Sequence, residues 1–259
     1  MHRSLISLFL ALLTLSACSG GSGGQSATAD STAVQTGTDN GYNPQLGTVI
    51  WDGAGIYKDY APKLSEWQTR LTAGEVVSVL DQTEAELDGK KTPLTRVRQP
   101  DTGKEGWLNG NFVVPASKVA AVLEPSSLYS RPALTAEEKK QFAAFDIVAV
   151  TAEKEDWVRV TGKRADATWM DADKWIKARA ISYDRVDLDV AVLVQRALKE
   201  ATPEKKLEAL NKIAYNNDLS TTKLSARLAD AIRTLMPNGG EDDGGLGDVV
   251  PDTTKKGGK

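Results

Sequence analysis

The stretch Leu71–Val114 is written a second time, and that repetition limits the folds open to the chain more than any motif. LTAGEVVSVL reads as a small turn followed by a strand of alternating apolar residues. Val77 and Val79 point one way, Val76 and Ser78 the other. TPLTRVRQPDTGKEGWLNGNFVV then gives a strand at Leu94–Val97, a Pro/Asp/Gly turn, and a strand entered at Gly106-Trp107. The echo begins at Phe142. FAAFDIVAV stands for LTAGEVVSV, WVRV (157–160) for LTRV, and KWIKARAIS (174–182) for GWLNGNFVV. Upstream, GAGIY ending at Tyr57 is matched by PSSLY ending at Tyr129, and the offset between copies drifts from 72 to 68 residues. One supersecondary unit is expected twice.

The only Cys is Cys18 and the only His is His2. His2-Arg3 opens the chain and LISLFLALLTL (5–15) follows, a largely apolar run of 11 residues. That run is too short to span a bilayer and suits a signal-peptide core. Leu15-Ser16-Ala17-Cys18 resembles the lipobox of bacterial lipoproteins, which implies cleavage before Cys18 and diacylation of its sulfur. More than one acyl chain makes membrane anchoring stable. Ser19 after the Cys, under enteric-type sorting, favours the outer membrane over an Asp-marked inner-membrane fate. Residues 19–44 are Gly, Ser, Thr and Asp and read as a tether, about 28 Å end to end and about 90 Å fully extended.

A chain cleaved there and acylated at Cys18 has neither histidine nor free thiol. Ser-His and Cys-His nucleophilic mechanisms then lack their base. Metal sites built on His or Cys lack their ligands. With 32 Lys+Arg against 35 Asp+Glu the net charge is -3, without the basic footprint of a nucleic-acid binder. No cofactor is expected.

In the first copy, strands are expected near Gly47–Trp51, Glu75–Leu80, Leu94–Gln99, Gly106–Leu108 and Phe112–Val114, with Lys58–Arg70 a loop or one helical turn. In the second, Thr135 with Glu138 looks like a capping box and predicts a short helix. The order apolar-Tyr, Gly-Glu-Val-Val-Ser-Val, Thr-Arg-Val, Gly-Trp-Leu, Phe-Val-Val resembles the bacterial SH3-like (SH3b) domain. Gly74, Val77, Val79, Val97, Gly103, Gly106 and Trp107 fall on its pattern, with Leu94 in place of its middle Trp. The second copy keeps that Trp (Trp157) with Val160 and Trp175, but has Lys174 and Phe145 where the first has Gly106 and Gly74. The resemblance implies a mainly β fold of two tandem small SH3-like β-barrels followed by a short α-helical C-terminal element.

After Asp184 the apolar period becomes 3.6. Asp187–Glu200 carries Val190, Leu193, Val194, Ala197 and Leu198 on one face. Thr202-Pro203 starts a second helix with stripe Leu207, Leu210, Ile213, ended by Asn216-Asn217. Ser220 is expected to cap a third, with Leu224, Leu228, Ala231, Ile232 and Leu235 inward and Pro237 as its stop. The organisation is therefore signal 1–17, tether 18–44, first SH3-like unit 45–116, second 117–184, helical element 185–236 and a low-complexity tail 237–259.

Trp107 and Trp175 open late strands and are expected to be core. Tyr60, Trp67 and Trp169 lie in inserts, where exposed aromatics stack on a sugar or hold a peptide, and they are the candidate ligand-binding residues. Asp166, Asp171, Asp173, Asp184, Asp187 and Asp189 lack the spacing of a calcium loop and read as solvated charge, with no metal site expected. Paired carboxylates hydrolysing a glycosidic bond need a deep cleft that small barrels seldom supply. The resemblance implies a non-catalytic envelope protein, anchored to the membrane through Cys18, that contacts peptidoglycan peptide or glycan. A lipoprotein whose partner is an envelope protein is the alternative.

Overall fold

The structure, a computed structural model, describes residues 43, 45–60 and 64–236. The expected signal segment, Cys18, nearly all of the expected tether, Pro237 and the expected tail lie outside the described residues.

The described chain is mainly β. Seven strands, β1 (Leu46–Val49), β2 (Ala54–Asp59), β3 (Ser65–Leu71), β4 (Val76–Leu87), β5 (Lys90–Arg98), β6 (Glu105–Asn109) and β7 (Val113–Pro115), form one antiparallel sheet in the order β3-β2-β6-β5-β4-β1-β7. Seven more follow: β8 (Lys118–Val122), β9 (Ser126–Tyr129), β10 (Glu137–Phe142), β11 (Ile147–Lys154), β12 (Trp157–Gly162), β13 (Asp171–Lys177) and β14 (Ile181–Ser182). They pair in the order β10-β9-β13-β12-β11-β8-β14, the same arrangement strand for strand.

The identity reaches individual bonds. Gly74 N–H donates to Val49 O at 2.8 Å, and Phe145 N–H to Val122 O at 2.9 Å. Val49 N–H donates to Glu75 O and Val122 N–H to Asp146 O. Tyr57 lies opposite Trp107 as Tyr129 lies opposite Trp175, and a register shift interrupts β4/β5 after Val79 and β11/β12 after Val150. The offset is not a smooth drift, however. Leu94 pairs with Asn109 and Trp157 with Lys177, so these equivalent positions are 63 residues apart. The β4/β5 hairpin reaches out to Asp88-Gly89, whose φ of 52° and 73° suit a type I′ turn, and its second-copy counterpart is shorter.

Neither ladder closes into a barrel among the described residues: β3 and β7 are edges of one sheet, β10 and β14 of the other. Both sheets nonetheless curl. Val49, Ile56, Leu71, Val77, Val97, Leu108 and Val113, one from each strand of the first sheet, share one apolar cluster. A flat seven-stranded sheet would hold its edges about 29 Å apart, beyond side-chain reach. Val122, Leu128, Phe142, Val148, Val158, Ile176 and Ile181 do the same in the second.

Two inserts differ from expectation. The described residues of Lys58–Arg70 belong largely to β2 and β3, which pair antiparallel with Tyr57 opposite Trp67, rather than to a loop or helical turn. Thr135 caps no α-helix: it sits inside the single 3-10 turn Leu134–Ala136, and the next six residues pair with β9 as β10. Both are polar edge strands, which carry little apolar alternation because one side faces water.

Among the described residues three α-helices follow the sheets: α1 (Arg185–Ala197), α2 (Pro203–Ala214) and α3 (Ser225–Leu235). Thr202 caps α2 as expected, its Oγ1 accepting from Lys205 N–H, and Pro203 opens the helix. Ser220 does not cap α3. It closes a 3-10 turn at Asn217–Leu219, and α3 begins five residues later. The N-cap position of α3 is Leu224, which supplies no side-chain cap; just before it Thr222 accepts from Leu224 N–H and donates at 2.7 Å to the Asp187 carboxylate of α1. The buried stripe of α1 is Leu188, Val190, Ala191, Val194 and Ala197, while Leu198 is exposed. This stripe packs with Ala121, Phe145 and Ile147 of the second sheet, Ala73 before β4, and the inward faces of α2 and α3. The helices therefore cover the place where the two copies meet.

Candidate binding surface

The three aromatics singled out from sequence fall in two places. Trp67 stands on edge strand β3 with 58% of its surface exposed. Tyr57 is its cross-strand neighbour, and directly paired side chains share a sheet face. Tyr60, at the end of β2, packs edge-on to Trp107 with ring centroids 4.5 Å apart. Gly106 makes this end possible: a Cβ there would lie 2.4 Å from Tyr57 O, so only glycine lets β6 pass so close to β2. Trp107 and Trp175 are half-buried rather than core, because each sits where a short ladder crosses the curl of its sheet.

Trp169 is elsewhere. It lies in the connection between β12 and β13, 51% exposed, with its ring 5.5 Å from Trp51 and 6.4 Å from Phe112. Trp51 and Phe112, both in turns of the first sheet, stack at 4.9 Å. Lys163 Nζ lies 5.4 Å above the Trp51 ring, within cation–π range. One aromatic surface is thus built by both copies. Its members are separated by 61 and 57 residues in the chain, so no local motif could have grouped them.

The connection carrying Trp169 is pinned by carboxylates. Arg164 donates from Nε to Asp171 at 2.7 Å and from one terminal nitrogen to both oxygens of Asp166. Lys140 adds a further bond, to Asp171. Burial works against the Asp171 charge, yet the bonds from Arg164 and Lys140 outweigh it and hold the carboxyl below its usual range. Asp146 is 3% exposed and accepts from Ala143 N–H at 2.8 Å. Burial pushes its carboxyl up to about 6. Asp166 pushes it further, while the Ala143 N–H and Arg164 pull it back.

The aspartate cluster is therefore only partly solvated charge. Asp171 and Asp187 are buried; Asp187 Oδ1 accepts from Thr222 and Lys223, and its Oδ2 has no partner. Asp184 pairs with Lys223, Asp189 with Arg185, and Asp173 with Arg159. Among the described residues no group of three acidic, His or Cys side chains is placed to hold a metal. No helix among them is long and apolar enough to cross a membrane.

A groove of about 730 Å³ runs between the turn before β4, the β5/β6 connection and α1, with Val76, Asp101, Val192, Leu193 and Arg196 along it. Sequence reading missed it, since three segments far apart in the chain line it. Arg196 crosses its end, donating to Thr72 Oγ1.

No protein-family model and no curated protein matches the chain. Among solved structures it is similar to NlpC2 and NlpC1 from Trichomonas vaginalis, each at 13% sequence identity. The TM-scores are 0.22 and 0.23, over 66% and 57% of this chain. The chain spans 57% and 48% of those proteins. Likeness at that level transfers neither fold nor activity.

Proposed function

We propose that the chain is a lipid-anchored, non-catalytic bacterial envelope protein whose two curled sheets are SH3-like units that contact cell-wall peptide or glycan. The observation that carries this reading is the pair of half-exposed indoles, Trp67 on β3 and Trp169 on the β12/β13 connection. An indole kept in water at a fixed position is costly to solvate and suited to stacking on a sugar or peptide face. The repeated strand order and the Gly106-Trp107 entry support the SH3-like assignment, although the ladders are open. The lipobox-like Leu15-Ser16-Ala17-Cys18 supports an anchor on Cys18, with the outer membrane as its destination.

The test is retention of the full chain on purified peptidoglycan sacculi, beside Trp67→Ala and Trp169→Ala. Saturable retention that either substitution removes supports the reading and places the contact. Retention no greater than on bare beads would overturn it. The anchor is tested separately: the full chain should take up a palmitate analogue in cells, and Cys18→Ser should not. The groove on α1 favours the second reading, a protein partner in the envelope. Retention failing while a crosslinker placed at Val76 captures one defined envelope protein would select it.

A further inference from the structure

The groove along α1 lies where three parts of the fold meet. Residues 72–76 and the β5/β6 connection come from the first copy, Val119 from the second, and Arg185 to Arg196 from α1. We infer that this groove binds a short free peptide, lying extended, with its terminal carboxylate on Arg196 and its terminal ammonium on Asp101. The site shares no residue with the surfaces around Trp67 and Trp169, so the inference goes beyond the wall-contact reading and does not rest on it.

The charges along the groove decide its ligand. Arg185 is answered by Asp189 at 3.0 Å. Both oxygens of Glu75 accept, one from Thr72 N–H at 2.8 Å and the other from the Gln99 amide at 3.0 Å. Two charges are left. Among the described residues no carboxylate lies within ion-pair distance of Arg196, and no cation within that distance of Asp101. Arg196 is nonetheless fixed: Nη2 donates to Thr72 Oγ1 at 3.2 Å, which leaves the rest of its planar N–H fork open. Asp101 is held too. It stands in a turn closed by Gly103 N–H donating to Gln99 O at 2.9 Å and by Thr102 Oγ1 donating to Gln99 Oε1 at 2.8 Å. A positioned cation and a positioned anion, both without a partner on one groove, match a ligand that carries both charges.

Size and lining narrow the class further. A volume of about 730 Å³ lies within the range of small-ligand sites, which favour the junctions between units. From Arg185 to Arg196 the helix rises about 16 Å, the length of about five residues of extended peptide. Val76, Val119, Val192, Leu193 and Leu219 line the groove, so apolar side chains between the two termini gain by burial there. No aromatic residue lines it among the described residues, so nothing there stacks on a sugar face, and a neutral glycan would leave both charges unanswered.

The probe is the peptide Ala-Leu-Ala-Leu-Ala, free at both ends, titrated calorimetrically into the full chain beside its C-terminal amide and its N-acetyl form. The free peptide should bind saturably, and blocking either end should weaken it about tenfold. Arg196→Gln should weaken the free peptide about tenfold and leave it level with the amide; Asp101→Asn should leave it level with the N-acetyl form. Both side chains are exposed, so neither exchange threatens the fold. Trp67→Ala and Trp169→Ala should bind the peptide as the wild type does. No binding of the free peptide, blocked forms that bind as tightly as the free one, or unchanged affinity in Arg196→Gln would overturn the inference. So would a crosslink from Val76 to an envelope protein that the free peptide leaves in place. Sacculi retention is scored apart from it. Peptide binding without retention keeps the groove's ligand and removes the wall-contact reading; retention without peptide binding does the reverse.

Discussion

The two sheets share a strand order and differ in how each solves the same three local problems. Where β6 crosses β2, the first copy uses Gly106 and brings the backbones into contact. The second has Lys174, paired in the same ladder position, and its ammonium reaches Glu138 on β10 at 2.6 Å. Before β4 the first copy turns through Gly74 at φ 90°, while the second uses Phe145 at φ 71°. At the buried start of the middle strand stands Leu94 in one and Trp157 in the other, the latter covered by Tyr129 edge-on and by Lys177. The lesson is that topology tolerates opposite chemistries at equivalent sites when a neighbour compensates. The first copy spends small residues and leaves its aromatics at the surface. The second fills the same places with large or charged side chains and closes over them.

The largest expected contrast is at the crossing. Gly106→Ala drives a methyl against the Tyr57 carbonyl, which is backbone and cannot swing aside, and should cost about 3 kcal/mol. Lys174→Ala removes only a partly exposed ion pair and should cost under about 1 kcal/mol. Urea denaturation of both variants measures the difference. Equal losses would mean the two crossings are mechanically alike after all.

The turn before the central strand comes next. Phe145 accepts a left-handed backbone that costs a non-glycine residue about 1–2 kcal/mol, because its ring is buried among Ile147 and the helices. Phe145→Gly relieves that strain but empties an aromatic site worth about 3–5 kcal/mol, leaving a net loss of about 2 kcal/mol. Gly74→Ala meets Ile147 and Val192 only at ordinary contact distance, 3.5 to 3.7 Å. Its cost is the strain alone, about 1 kcal/mol. Thermal unfolding should therefore rank Phe145→Gly below Gly74→Ala.

Much of this comparison was legible beforehand, and what was not has physical reasons. The repeat, the strand starts, and the Gly106/Lys174 and Gly74/Phe145 exchanges are visible because apolar alternation and turn glycines are local. The type I′ turn at Asp88-Gly89 was equally local, and the long hairpin it makes could have been read from that pair. Strands β3 and β10 were not readable: SEWQTRL and EEKKQF lack a clean period, and only pairing to β2 and β9 makes them strands. Of the candidate site, exposure of Trp67 and Trp169 was foreseen. The meeting of Trp169 with Trp51 and Phe112 was not, since it depends on where two copies dock. The burial of Asp146 was likewise not readable, since a lone carboxylate in a turn gives no local sign of how the fold covers it.

The same turn separates the copies in their response to pH. The folded carboxyl of Asp146 titrates at about 6, above its ordinary value, so the native state binds the proton more tightly than the unfolded chain. Stability from this group is present below about pH 4 and is lost as pH rises through 6. Between pH 4 and 7 the wild type should lose about 2 kcal/mol relative to Asp146→Asn, which carries no titrating group there. Denaturant midpoints taken across that range check it. A constant gap between the two proteins would show that the turn does not desolvate its carboxylate.

The smallest effect sharpens the third difference. Lys177 Nζ lies 3.7 Å from the centre of the Trp157 ring and 2.6 Å from Asp156 Oδ2, so it caps the second copy's aromatic slot while held by a surface carboxylate. Lys177→Met keeps the stem and removes the charge, and should cost about 0.5–1 kcal/mol of cation–π attraction. More telling is quenching of Trp157 by acrylamide, which should rise if the ammonium is the lid. Unchanged quenching would mean that Trp157 is shielded by Tyr129 and its own burial. The closure of the second copy would then come from packing rather than charge, and the two copies would differ in volume filled more than in electrostatics.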